Sequence, residues 1–210
     1  MSATAMDNVR SATPGQVRRS PSVPAHWPIR RHVAAAETTP AGPLHSVEVT
    51  VPAKTNLTLH VGPAHEEWGG RHALDTIYCA IGVNDVVTAT AKTPGSGFSL
   101  ELSGEHLGDL TSSGSDMRRN HAVLALFAIA RAAGREPDVA LHVDKHIPVG
   151  AGLGGGSADA AATLLAVNTL WGLHWPIERL RDIAATLGAD MPFCLEGGYA
   201  HGTGFGERRS

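Results

Sequence analysis

Lys145-His146-Ile147-Pro148-Val149-Gly150-Ala151-Gly152-Leu153-Gly154-Gly155-Gly156-Ser157-Ala158-Asp159-Ala160-Ala161-Ala162 is the stretch on which the reading of this chain turns. It leaves a short alternating run, Val139 to Val143, and enters an Ala- and Leu-rich segment, Ser157 to Trp171, so it reads as strand, loop and helix. Five of the seven residues 150–156 are glycine, which lets successive backbone amides turn toward one point. The helix that follows adds its free N–H groups and the positive end of its dipole. Together these make a cradle for phosphate. Its candidate residues are Pro148, Val149, Gly150, Ala151, Gly152, Leu153, Gly154, Gly155, Gly156, Ser157 and Ala158. The Ser157 hydroxyl can reach a phosphate oxygen or a magnesium ion, and the alanine run lets the helix approach a sheet closely. A flexible linker is the alternative, but linkers do not open directly into a 15-residue apolar helix. The loop lacks the Gly-Lys-Ser/Thr of a Walker motif. It also lacks the acidic residue that a dinucleotide fold places about twenty positions on, where Leu173 and Trp175 stand and Glu178 falls on a helix.

Upstream, Val47, Val49 and Val51 alternate with polar residues, a strand signal. Pro52 interrupts the alternation and Leu57 to Val61 resumes it. A loop is expected from Gly62 to Gly70, then strands over Leu74 to Val83 and Asp85 to Ala91. Phe98 to Leu102 alternates again, and the turn Thr93-Pro94-Gly95-Ser96-Gly97 before it predicts a hairpin. A helix is predicted from about Met117 to Ala133, ended by Gly134, with Asn120 or Asp116 as its cap. Downstream, Ile177 to Leu187 is helical, with Pro176 in its first turn and Gly188 just past its end. Strands, a helix, a strand and two helices predict an α+β domain with helices packed on a mixed sheet.

The 210 residues hold an apolar share of 42 %, with a net charge of −3. That balance argues against a basic nucleic-acid binder, and no apolar run is long enough to span a membrane. Cys79 and Cys194 are the only cysteines, which excludes a disulfide scaffold and fits a reducing, cytoplasmic setting. Residues 1–46 differ from the rest. They carry five arginines and no lysine against Asp7 and Glu37, and six of the 13 prolines. Such a segment cannot offset its ordering entropy by burial. It reads as a disordered arm or an over-extended reading frame, with an organelle transit peptide as the alternative; the domain is expected over 47–210. The 12 histidines invite a metal reading, but His65-Glu66-Glu67 and His72 lack a metal-binding spacing.

Pro148 to Ala162 resembles the P-x-x-x-G-L-G-x-[GS]-S motif of the GHMP kinases. Pro52-Ala53-Lys54-Thr55-Asn56-Leu57 resembles the P-A-K-x-N-L strand, and Leu187-Gly188-Ala189-Asp190-Met191-Pro192-Phe193 the L-G-A-D-V-P-F element. The three in this order are similar to the 4-diphosphocytidyl-2-C-methyl-D-erythritol kinases, over about residues 48–207. The resemblance implies the GHMP amino-terminal domain (ribosomal protein S5 domain 2-like). It also implies ATP with Mg2+ as cofactors, and phosphorylation of the 2-hydroxyl of a diphosphocytidyl-methylerythritol in non-mevalonate isoprenoid (terpenoid) biosynthesis. The expected partner is a small molecule, with neither nucleic acid nor membrane involved. Family members continue into a second domain that closes the cleft. A truncated chain, slow or silent in turnover, is therefore expected. A homoserine- or mevalonate-type GHMP kinase, or a non-catalytic remnant, is the alternative reading.

Asp190 lies between a helix end and Met191-Pro192, where it either brackets a turn or accepts a proton; the resemblance implies the catalytic role. Lys54 is one of three lysines. Flanked by small and apolar residues, it needs a carboxylate or phosphate partner if buried, and is otherwise a solvated edge residue. The resemblance makes Asp190 its partner. Asn56, two residues on, shares its strand face and is expected to bind substrate hydroxyls. Gly69-Gly70-Arg71-His72 stands where the family carries D-G-Y-H. The resemblance therefore implies cytosine binding by His72, with Arg71 in place of the family's Tyr.

Overall fold

The computed structural model describes residues 29–30, 45–105, 107, 117–204, 206 and 208–209. The elements run β1 (Ile29–Arg30), β2 (Ser46–His65), β3 (Arg71–Ala91), β4 (Ser99–Gly104), α1 (His121–Ala133), β5 (Val139–Lys145), α2 (Gly155–Leu170), α3 (Ile177–Leu187), α4 (Met191–Glu196), β6 (Tyr199–Thr203) and β7 (Arg208–Arg209). Of residues 1–44, the dipeptide Ile29–Arg30 pairs antiparallel with Val49 and Glu48; the rest lies outside the described residues, as does Asp116.

The sheet follows the order β1-β2-β3-β5-β4, with β6 on the far half of β3 and β7 beyond it. The expected strand breaks are absent. β2 and β3 are continuous and antiparallel over their whole length, and the register shifts between Pro52 and Ala53, between Asn56 and Thr58, and between Val61 and Ala64. Pro52 thus stands at an irregularity of the ladder, where its missing N–H costs least. The expected loop from Gly62 shrinks to a single 3-10 turn, Glu66–Trp68, closed by Gly69 in the left-handed conformation.

The predicted hairpin before β4 does not form. β4 runs parallel to β5, because β5 already occupies the edge of β3 along Val86–Ala91. The 93–97 turn is instead anchored on Asp138 at the foot of β5, whose carboxylate accepts from Gly95 N at 2.8 Å and Gly97 N at 2.7 Å. β4, α1 and β5 therefore make a parallel crossover.

One face of the sheet carries the core. Val47, Val49 and Val51 of β2, Val87 and Ala89 of β3, and Val139, Leu141 and Val143 of β5 are buried. α2 lies against β2, β3, α1 and α4 and is buried on every side from Ala158 to Val167. Its alanines allow that close approach without voids. α3 buries Leu180 and Ala184 and packs the partly buried Ile177, Ile183 and Leu187 against the core. α1 begins at His121, later than expected, after a 3-10 turn at Met117–Arg119. Its cap is Asn120, whose side chain accepts from Ala122 N at 2.9 Å. α4 and β6 were not anticipated from the sequence: Pro192 starts the short helix in its first turn. Among the described residues no helix is long and apolar enough to cross a membrane.

Candidate active site

The loop between β5 and α2 turns left-handed at Gly150, Gly152 and Gly154, and Gly154 is the N-cap of α2. Two glycines are required by contact as well. A Cβ on Gly154 would stand 2.8 Å from Cγ of Lys54, and one on Gly156 would stand 2.2 Å from Nδ1 of His121. Bare backbone therefore faces a cleft of about 370 Å³, walled by residues 147–157, Arg119, Asn120, His121, Lys145 and Asp159. The helix dipole and free amides of α2 point into it, which suits an anion.

Beneath the loop lies a buried ionic cluster that the sequence reading did not assemble. Lys145, 2 % exposed, donates to Asp85 and, at 2.7 Å, to Asp159. The other Asp85 oxygen accepts from His146 N at 2.6 Å and Ile147 N at 2.8 Å, which ties the start of the loop to β3. Burial lowers the Lys145 pKa, but Asp159 and Asp85 outweigh it and the net direction is upward. Asp159 moves up to about 7, because burial penalises its charge more than Lys145 relieves it. Its Oδ1 is buried with no hydrogen-bond partner. Nothing local in Val83-Asn84-Asp85-Val86 distinguishes Asp85 from an ordinary turn residue.

On the other side of the loop, Lys54 Nζ lies 3.0 Å from Asp190 Oδ2 and donates to Asn56 Oδ1 at 2.9 Å. Asn56 Nδ2 donates to Thr76 Oγ1 at 2.6 Å, and the Thr76 hydroxyl in turn donates to the Thr58 carbonyl at 2.6 Å. Tyr78 OH donates to Asp190 Oδ1 at 3.1 Å, and its ring stacks on Phe193 with centroids 5.0 Å apart. Asp190 precedes α4 as its N-cap residue without making a side-chain cap bond, and its carboxylate bonds to Lys54 and Tyr78 instead. Its side chain is 31 % exposed while that of Lys54 is 9 % exposed. The cation is thus held inside and the carboxylate faces out. The solvated edge-lysine alternative therefore fails.

The two halves meet at one backbone bond. Lys54 N donates to Leu153 O at 2.9 Å, and the Lys54 stem fills the space left by Gly154. The structure therefore brings together Lys54, Asn56, Asp190 and the loop 148–158. His72 is not among them. It pairs with Ala64 near the outer end of the β2–β3 ribbon, a contour of about 30 Å from Lys54 at the usual strand rise. There its Nδ1 bonds to the Gly62 carbonyl at 2.9 Å. Tyr78, Thr76 and His121 were missed in the sequence. The alternation of β3 marks Tyr78 only as a core residue.

Residues 120–198 match the family of GHMP kinases N terminal domains. The chain is 77 % identical over 165 residues to the 4-diphosphocytidyl-2-C-methyl-D-erythritol kinase of Bifidobacterium adolescentis, a match covering 79 % of this chain and 54 % of that protein. It is 47 % identical over 165 residues to the protein of the same name from Mycobacterium tuberculosis, covering 79 % and 49 %. A crystal structure of 4-(cytidine 5'-diphospho)-2C-methyl-D-erythritol kinase superposes with a TM-score of 0.60 at 37 % identity, over 78 % of this chain and 54 % of that one. The chain spans about half the length of the curated relatives it matches.

Proposed function

The described fold is a GHMP kinase N-terminal domain, and on that premise we propose that it serves ATP-dependent phosphorylation of the 2-hydroxyl of 4-diphosphocytidyl-2-C-methyl-D-erythritol. The observation that carries the reading is the Lys54–Asp190 pair bonded through the Lys54 backbone to the glycine loop. Phosphoryl transfer needs alignment and charge neutralisation more than covalent help, and these two units divide that work.

The loop amides and the α2 N-terminus would hold the triphosphate, with the Ser157 hydroxyl offered to a phosphate oxygen. ATP supplies the phosphoryl group. Among the described residues no cluster of three His, Cys, Asp or Glu side chains could hold a metal ion. Magnesium would therefore be carried mainly by the phosphates. Asp190 accepts the proton of the substrate hydroxyl as its oxygen attacks, forming the new O–P bond while the bond to the leaving diphosphate breaks. Lys54 pairs with the carboxylate and orients it, and Tyr78 fixes its second oxygen. Asn56, anchored through Thr76, would hydrogen-bond a substrate hydroxyl. His72 is proposed to contact the cytosine ring from the β2–β3 ribbon.

The test is transfer of labelled phosphate from ATP to the diphosphocytidyl alcohol by the longest native form of the protein, compared with homoserine and mevalonate. Turnover confined to the first, and lowered about 10²- to 10⁴-fold by Asp190→Asn with KM little changed, is expected. Preference for homoserine or mevalonate, or an unaltered rate in the variant, would remove the proposal.

A further inference from the structure

The nucleotide reading leaves one cleft side chain without a task. His121 is the first residue of α1 and walls the cleft beside the glycine loop, against Gly156. Its ring presents Nδ1 to Gly156, with Cε1 and Cγ behind at 3.1 and 3.3 Å from the position a Cβ would take. Nε2 and Cδ2 therefore form the edge turned away from the loop. The ring sits where the N-termini of α1 and α2 converge, a position that favours anions. Among the described residues neither ring nitrogen has a hydrogen-bond partner. A second group in the same cleft, unlike the exposed His121, is buried with an unpaired atom. Asp159, 4 % exposed, leaves Oδ1 without a partner.

We propose that His121 is a phosphate-contacting residue that takes up a proton when the polyphosphate of a nucleotide enters the cleft, so that nucleotide affinity rises as the pH falls. The inference rests on the nucleotide-binding reading and adds a residue to it. The charged groups around the ring are Arg119 on the preceding turn and Lys145 on β5, balanced by Asp159 on α2 and, through Lys145, Asp85 on β3. In the free protein, partial desolvation against the cleft wall and the Lys145 cation hold His121, whose residue surface stays exposed, below its ordinary value. A bound polyanion reverses the local potential and restores the charged form, in which both nitrogens donate. The imidazolium then adds a charge-assisted hydrogen bond.

Isothermal titration of magnesium-saturated ATP into the 210-residue chain, in two buffers of different ionisation enthalpy, measures the proton taken up. Wild type is expected to take up more protons than His121→Gln. Its dissociation constant is expected to fall about threefold to tenfold from pH ~8 to pH ~6, more steeply than that of the variant, in which Asp159 alone of the pair remains to titrate. NMR titration of the wild-type His121 ring gives a second readout, independent of how the variant folds. Its pKa should move up when ATP is bound. ATP binding with equal proton uptake in both proteins, or a ring pKa unmoved by bound ATP, overturns this inference and leaves the nucleotide site standing. No ATP binding at all overturns both.

Discussion

Asp159→Asn tests the buried cluster beneath the loop. Two carboxylates, Asp85 and Asp159, share one lysine, so the cluster carries one surplus negative charge in a site almost closed to water. Asp85 is fully bonded, by Lys145 on one oxygen and by two backbone amides on the other. Asp159 has only Lys145 and an orphaned Oδ1, so the surplus charge is relieved there, by protonation. Its pKa rises from the ordinary 3.8 to about 7. The folded protein thus holds a proton at Asp159 that the unfolded chain releases near pH 3.8. Between those two values the native state binds more protons, and stability falls as pH rises through the window. At ~1.4 kcal/mol per unit, the loss reaches up to about 4 kcal/mol by pH 7 and is constant above it. Asparagine keeps the shape, accepts from Lys145 and cannot ionise. Urea denaturation of both proteins from pH ~4.5 to pH ~8 yields the difference in stability, from which titrations common to both cancel. Wild type should lose ground steadily to Asp159→Asn up to neutral pH, with the variant equal or more stable at pH ~8. A difference that does not vary with pH, or one that favours wild type increasingly at alkaline pH, would refute the surplus-charge reasoning.

Gly156→Ala places a methyl where His121 sits and should cost about 1–3 kcal/mol from overpacking. Most of that should return in the Gly156→Ala/His121→Ala double variant, a coupling read from a double-mutant cycle by thermal denaturation. Asn120→Ala removes the α1 cap and should cost about 1 kcal/mol, seen as a lower urea midpoint with unchanged slope.

Much of the site was legible because its parts are local. The glycine loop announces itself through composition, since tight left-handed turns and bare backbone need glycine. Lys54 and Asn56 share a face by the two-residue period of a strand, and the 2.9 Å bond between them follows from it. The boundaries of α3 agree with the expected ones because Pro176 and Gly188 bracket an amphipathic run. The errors are of one kind. β4 was read as the second strand of a hairpin because a Pro-Gly turn precedes it. Which edge is free depends on β5, forty residues later, and on Asp138 capturing that turn. Pro52 was read as a break because a proline weakens a ladder, whereas the ladder absorbed it by a shift of register.

Residue order alone settles that a glycine-rich loop joins a strand to a helix, and that a lysine and an aspartate flank it in the chain. Backbone conformation and side-chain period act over a few residues and leave their mark in them. Only the folded chain decides that Lys145 meets Asp85 across 60 positions, that Tyr78 steadies Asp190 across 112, and that His121 rests on Gly156. Such meetings depend on which elements pack together, and burial energy selects that packing over the whole chain at once.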